Sequence, residues 1–298
     1  MILSSLFIGV FLAILSGVCY GLVPILAVYA YQGGATVSDY VFLRYVTASA
    51  FFLIYLLIFH GSSIFKLGGK VPVALSLVAG TLQAVAAYLY MSTVQKTTAG
   101  LAAILFYTYI IWVAIWGFLF TKERLKLPGI FGIGLALTGL SLVVGVSLGR
   151  ISPVGILMGL GAGVVCSGFV MVSNRALNKH EPIIVSALFC LFTAIPLFLL
   201  GSATATLRLQ MAPVAWLACA ASGVFIFIGL FTFMAGMKRV GSTTASVLCT
   251  AEPVTTVVLS ALLLSQKMTA WQLIGTIVIL IGAIFVVTSK KQSDAGCE

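Results

Sequence analysis

Ten apolar stretches, each about twenty residues or longer, follow one another along this chain, and no other feature restricts its fold as much. They cover approximately residues 3–30, 38–60, 71–93, 98–120, 128–148, 152–175, 182–201, 212–237, 243–265 and 270–289. A helix of about 20 apolar residues crosses the hydrocarbon core of a bilayer. With 61% of its 298 residues hydrophobic and 7% charged, the chain holds more apolar surface than a soluble protein of this size can bury. Lipid must be the solvent for most of it. Inside lipid no water satisfies backbone amides, so each stretch is expected to be a helix. The connections are too short for an extramembrane domain. The expected fold class is therefore all-α and polytopic, with ten transmembrane helices.

The same composition excludes several classes of function. The net charge of +10 is spread over loops and ends, without the dense basic run that grips nucleic acid, so no nucleic-acid partner is expected. Five of the six cysteines lie inside apolar stretches and no two form a CxxC pair, so neither a zinc site nor a disulfide framework is indicated. The two histidines, His60 and His180, stand near loops, and HExxH, GxSxG and Walker patterns are absent. Enzyme chemistry and a cofactor are not expected. The first thirty residues lack the basic start of a cleaved signal peptide and read as a first membrane helix.

Orientation follows from the distribution of Lys and Arg. With a cytoplasmic N-terminus, the inner loops and tail hold 11 cations: Lys66, Lys70, Lys122, Arg124, Lys126, Arg175, Lys179, Lys238, Arg239, Lys290 and Lys291. The outer loops hold 4: Lys96, Arg150, Arg208 and Lys267. Both termini are expected in the cytoplasm. The remaining cation, Arg44, falls inside the second stretch.

Self-similarity at a fixed offset divides the chain in two. Gly132 and Gly139 recur as Gly275 and Gly282, an offset of 143. Thr97-Thr98-Ala99 recurs as Thr243-Thr244-Ala245, and "SGVCYG" from Ser16 resembles "AGVVCS" from Ala162, both at 146. The difference asks for a three-residue insertion, placed within the fourth helix. Two five-helix repeats result, residues 1–150 and 151–298. An odd number of spans makes the second copy enter from the opposite side, so the repeats are inverted. Secondary transporters use such pairs for alternating access around a midplane site.

Three passages carry a family resemblance: "FLRYVTASAFF", "LFTKERL" and "AEPVTTVVLSALLLSQKMTAWQLIGTIVILIGA". Together with the 5+5 arrangement, they make the chain similar to the EamA-type members of the drug/metabolite transporter superfamily. The resemblance implies a small-molecule carrier in a bacterial inner membrane, acting as a monomer or weak homodimer. The aromatic-rich third and fourth helices look most like those of amino-acid exporters. The chain departs from the family pattern in having Gln266 where an acid is usual, whereas Glu123 of the first half is kept. Ile110 or Tyr107 stands where a proline is frequent in the fourth helix.

Glu252 lies about 15 Å deep, near the midplane, and is followed by Pro253. An unpaired charge there costs at least about 2.5–3.5 kcal/mol. It needs protonation, a wet cavity or a partner, and three roles are open: a proton-sensitive gate, a contact for a substrate amino group, or a structural acid at a kink. Pro253 removes an N–H and loosens its helix. Arg44 either snorkels outward, which arginines near helix ends favour, pairs with carbonyls, or serves an outer gate. Tyr109, Trp112 and Trp116 share one helical face. At offset 143, Tyr109 and Trp112 align with Glu252 and Thr255. Candidate substrate contacts are Tyr20, Tyr88, Tyr107, Tyr109, Trp112, Glu252 and Thr255. Candidate gating or structural residues are Arg44, Pro24, Pro253, Gly17, Gly21, Gly159 and Gly163, the glycines lying in rows that let backbones approach closely. Thr97 and Ser242 read as helix caps. Amino acids or similar amphiphilic metabolites are the leading cargo, cationic drugs or amines the rival. A receptor or scaffold is the competing class.

Overall fold

Helices follow from the apolar stretches with small shifts at their ends. The computed structural model describes residues 2–60, 70–97, 99–121, 126–145, 152–178, 180–263 and 269–295. Lys66, Lys122, Glu123, Arg124, Arg150, Lys179, Gln266, Lys267 and Cys297 lie outside the described residues. Ten helices long and apolar enough to span a bilayer are present among the described ones. In chain order they are α1 (Ile2–Gln32), α2 (Val37–His60), α3 (Lys70–Lys96), α4, α5 (Leu127–Val144), α6 (Pro153–Leu177), α7 (Pro182–Ala203), α8 (Pro213–Val240), α9 and α10 (Ala270–Ala295). Two are interrupted. α4 consists of α4a (Ala99–Tyr107) and α4b (Tyr109–Trp116) with a π-turn over Gly117–Thr121, and α9 of α9a (Ser242–Leu248) and α9b (Ala251–Leu263). A proline in the opening turn starts each of α5, α6, α7 and α8, where its missing N–H has no intrahelical partner to lose. Large apolar side chains such as Phe7, Phe11, Leu57 and Leu157 point outward, as a lipid-facing surface requires.

The interruptions do not fall where a proline rule puts them. In α9 the break lies at Cys249 and Thr250, ahead of Pro253, which occupies the first turn of α9b. A proline in a first turn costs no hydrogen bond, so Pro253 starts α9b rather than kinking a continuous helix. α4 breaks at Thr108 without any proline. At both breaks a threonine hydroxyl donates to the carbonyl three residues earlier, Thr108 to Leu105 and Thr250 to Val247, each at 2.6 Å. This local bond competes with the helical ladder. The Thr97 hydroxyl donates back to Thr93 at 2.8 Å, and Gly241, at φ 85°, occupies the N-cap position of α9a, with Ser242 its first helical residue.

Glycine contacts establish the inverted repeat. A Cβ on Gly139 would lie 2.6 Å from the carbonyl oxygen of Gly275, and one on Gly282 would lie 2.6 Å from that of Gly132. The backbones of α5 and α10 thus touch, antiparallel, at two sites exchanged by the pseudo-two-fold. Gly9 meets Arg239 and Val240 of α8, and Gly155 meets Lys96 and Thr97 of α3 in the same way. Gly17 meets the Cys249 carbonyl at the α9 break, and Gly163 meets Phe106 and Thr108 at the α4 break. Gly80 of α3 packs on Phe192 and Thr193 of α7, whereas Gly223 of α8 packs on Arg44 and Thr47 of α2. Every one of these contacts joins one repeat to the other.

These pairs fix the offsets. Gly9 to Gly155 and Gly17 to Gly163 give 146, Gly80 to Gly223 gives 143, and the contact partners Thr97 to Val240, Phe106 to Cys249 and Thr108 to Ala251 also give 143. The three-residue change therefore falls before α3, not within α4, and the matched Thr-Thr-Ala triplets are not equivalent in space. At the breaks Thr108 corresponds to Ala251, and Tyr109 to Glu252.

Candidate functional site

A cavity of about 370 Å³ lies between the two interrupted helices. α1, α2, α3 and α4 supply its aromatic walls, with Tyr20, Tyr31, Tyr40, Tyr45, Tyr90, Phe106, Tyr107 and Tyr109 among the lining side chains. α6, α7 and α8 close it with Cys166, Phe169, Val170, Phe189, Ile226, Leu230 and Phe233. α9 contributes Cys249 and Glu252. The size falls in the range of small-molecule sites, roughly 300–1,000 Å³. Tyr31 and Tyr40 mark the end where α1 stops and α2 starts, and Glu252 marks the depth of the α9 break.

Local bonding holds the aromatic walls in place. The Tyr40 hydroxyl donates to the Val23 carbonyl at 2.6 Å, one residue before Pro24. Pro24 leaves the α1 ladder with a missing donor, and Tyr40 therefore bridges α2 to the weakened part of α1. The Tyr109 hydroxyl donates to the Ser246 carbonyl at 3.4 Å, joining the α4 break to α9a. Tyr107 and Tyr109 stand with ring centres 5.9 Å apart, and Phe106 lies 5.7 Å from Tyr109 and 5.2 Å from Tyr90. Such tilted and edge-on pairs stabilise a wall without filling the space beside it.

Two charged groups enter this aromatic space. The Glu252 carboxyl group lines the cavity together with the Tyr107 phenol. Beneath it the Thr256 hydroxyl, at 3.0 Å from each, reaches the carbonyls of Gly21 and Glu252, tying α9b to α1. Arg44 does not snorkel to the membrane surface. Its guanidinium lies 5.2 Å from the Tyr45 ring centre and 5.8 Å from that of Tyr40, facing the cavity. Gln83 completes this side, donating to the Tyr45 hydroxyl at 3.4 Å.

The candidate residues divide accordingly. Tyr20, Tyr107, Tyr109, Glu252, Pro24 and Arg44 all line the cavity. Tyr88, Trp112 and Thr255 are not brought there. Tyr88 is 51% exposed, whereas Tyr90 faces inward: two residues in a helix are about 200° apart, so only one of this pair can face the cavity. Trp112 stacks on Trp116 at 6.4 Å, and Trp116 donates to Ser167 at 3.1 Å, so the stripe continues along α4b beyond the cavity. Thr255 packs against α1, where a Cβ on Gly21 would come 2.6 Å from its own. Gly159 meets Leu105 of α4a, and Gly17, Gly21 and Gly163 hold α1 and α6 against the breaks.

Tyr31, Tyr40, Tyr45, Gln83 and Phe189 were absent from the sequence-based candidates. One signal for them was present: Tyr40, Arg44 and Tyr45 sit at i, i+4 and i+5 in α2, clustering aromatic rings around the only cation inside an apolar stretch.

The comparisons with known proteins agree with this architecture. A solved crystal structure superimposes with a TM-score of 0.80 at 22% identity, covering 97% of this chain and 98% of its own. An uncharacterized transporter of Clostridium kluyveri is 25% identical over 211 residues, 67% of each protein. The uncharacterized transporter YwfM of Bacillus subtilis is 26% identical over 155 residues, 49% of this chain and 50% of that protein. The EamA-like transporter family matches twice, over residues 7–145 and 153–288, once for each five-helix repeat. This chain is a ten-helix membrane transporter that belongs to the EamA-like transporter family.

Proposed function

We propose that the protein exports amino acids, aromatic and neutral ones foremost, and related amphiphilic metabolites across a bacterial inner membrane by alternating access. The observation that carries this reading is the aromatic cavity with Glu252 at the depth of the α9 break. Rings accommodate apolar side chains, and a carboxylate with neighbouring phenols receives an amino group. One chain encloses the whole cavity, so a monomer suffices. With both termini cytoplasmic, as the Lys and Arg distribution favours, the end marked by Tyr31 and Tyr40 faces outward.

The moving parts are two symmetric groups, α1 with α8 and α9, and α6 with α3 and α4. Close glycine contacts within them let helices slide or tilt without disturbing side chains. α9a is buried throughout, from Ser242 to Leu248. The reverse arrangement would uncover it and bury α4a in its place.

A second reading, efflux of cationic drugs or amines, is favoured by the same carboxylate and by ring faces suited to cation–π contacts. Counterflow in proteoliposomes with a panel of radiolabelled amino acids, against a quaternary amine, separates the two. Amino-acid exchange that requires the protein supports the proposal. Exchange of the amine alone refutes it, and binding without exchange in either direction identifies a receptor.

A further inference from the structure

Arg44 and Glu252, of opposite charge, open onto one cavity. Among the described residues the two form no ion pair within 4.0 Å. Arg44 is held between the Tyr40 and Tyr45 rings, and its Nε is buried without a hydrogen-bond partner. The Oε1 of the neighbouring Gln83 is also buried and unpartnered. Unmet buried polar groups are costly, and charged ones most of all.

The inverted repeat provides an internal control for what the scaffold requires. Glu252 corresponds to Tyr109, whose uncharged side chain is buried. The stretch of α7 equivalent to Arg44, judged from the matching contacts of Gly80 and Gly223, carries Phe189 and Cys190, both buried. The same helix contacts are therefore built with uncharged residues in the other half. Helix packing does not need either charge, and membrane burial disfavours both. Their opposite signs and shared cavity suit a ligand that carries both complementary charges.

We propose that Arg44 holds the carboxylate of the transported molecule while Glu252, with Tyr107, holds its ammonium group, so that the cavity selects zwitterions over amines or acids of the same shape. This deepens the amino-acid reading above and rests on it for the identity of the cargo. A zwitterion neutralises both poles at once. An amine leaves Arg44 unpaired, and an acid leaves Glu252 unpaired. A site built on such paired groups rejects an analogue lacking one by about 100-fold or more.

The test uses purified full-length protein and four probes of one shape: phenylalanine, its methyl ester, phenethylamine and 3-phenylpropionate. Binding is measured by calorimetry for wild type, Arg44→Gln, Arg44→Lys and Glu252→Gln. Wild type is expected to prefer phenylalanine to the ester and to the amine by about 100-fold. Arg44→Gln should remove that preference while keeping the amine, and Arg44→Lys should retain part of it. Equal affinity of wild type for phenylalanine and its ester overturns the proposal and requires no variant. Equal losses for phenylalanine and phenethylamine in Arg44→Gln do the same, since they indicate a structural role. No binding of any probe at millimolar concentration also overturns it. Counterflow of labelled phenylalanine separates this inference from the transport reading. Arg44-dependent binding without flux refutes transport of that amino acid and leaves the subsite standing, whereas flux of acid and ester alike refutes the subsite alone.

Discussion

Thr108 and Thr250 each close a turn at the helix break of their own half of the molecule, donating the hydroxyl at 2.6 Å to the carbonyl three residues before it. The two breaks they form bracket the cavity in depth. One break continues into Tyr109, whose hydroxyl crosses to Ser246 of α9a. The other continues into Glu252, which lines the cavity with Tyr107 of α4a. The two interrupted helices thus meet at the cavity through side chains that the repeat does not share, and the cavity is chemically asymmetric within a symmetric frame.

Glu252→Gln keeps the shape of the side chain and removes its charge. Flux in proteoliposomes should fall at least about tenfold, the loss of a charge-assisted hydrogen bond of about 1.5 kcal/mol or more. Flux at the wild-type rate would show that the acid is structural. Tyr107→Phe should weaken transport less, by about fivefold, since it removes one hydroxyl of about 1 kcal/mol.

Gly139→Ala places a Cβ 2.6 Å from the Gly275 carbonyl, on a backbone that cannot turn aside. A loss of stability of about 1–3 kcal/mol is expected from such overpacking, read as a lower melting temperature in detergent. Gly134→Ala, five residues earlier, meets nothing within 4 Å. It should be neutral or slightly stabilising, by up to about 1 kcal/mol. Equal effects of the two would contradict the backbone contact between α5 and α10.

Asp39 clasps the loop between α7 and α8. Its carboxylate accepts backbone N–H bonds from Thr36 at 2.9 Å, Arg208 at 2.8 Å and Leu209 at 3.0 Å. Ala205 and Leu209 in that loop have φ of 53° and 54°, which non-glycine residues adopt only when held. Asp39→Ala should cost about 2 kcal/mol and increase proteolytic cleavage within residues 204–212, whereas Asp39→Asn, which retains an acceptor, should cost less. A loop cleaved equally in all three proteins would show that the clasp has no effect.

The boundary of the cavity is open to the same kind of test. Tyr88→Ala alters an exposed residue and should leave flux within about twofold of wild type, as surface substitutions usually lie within about 0.5 kcal/mol. Trp112→Ala, outside the lining, should chiefly affect stability through its stacking on Trp116. Tyr90→Ala, two residues from Tyr88 but facing the cavity, should reduce flux severalfold. A reversed order for Tyr88 and Tyr90 would contradict the placement of α3.

Ten spans and an inverted repeat were legible in the sequence because both rest on length, hydrophobicity and recurring glycines. Each of these survives any detail of packing. The breaks were less legible: Pro253 drew attention to α9, but the interruption is made by Thr250, and nothing so conspicuous marks Thr108. Rotation around a helix was harder still. Tyr88 and Tyr90, or Thr255 and Thr256, differ by one or two residues and point in different directions, and only the neighbouring helices decide which direction matters. Arg44 was the largest reversal. Its depth of about six residues fits snorkelling, but the rings of Tyr40 and Tyr45 turn it inward.

Alkylation at Ala87, which lines the cavity, tests the central claim most directly. The claim is that the transported solute occupies the space between the α4 and α9 breaks. With the six native cysteines replaced and Ala87→Cys introduced, a membrane-impermeant maleimide added from outside should label the protein. A transported amino acid at ten times its dissociation constant should slow that labelling about tenfold, because only the unoccupied fraction reacts. An unchanged labelling rate at the same saturation would place the solute elsewhere and contradict the account.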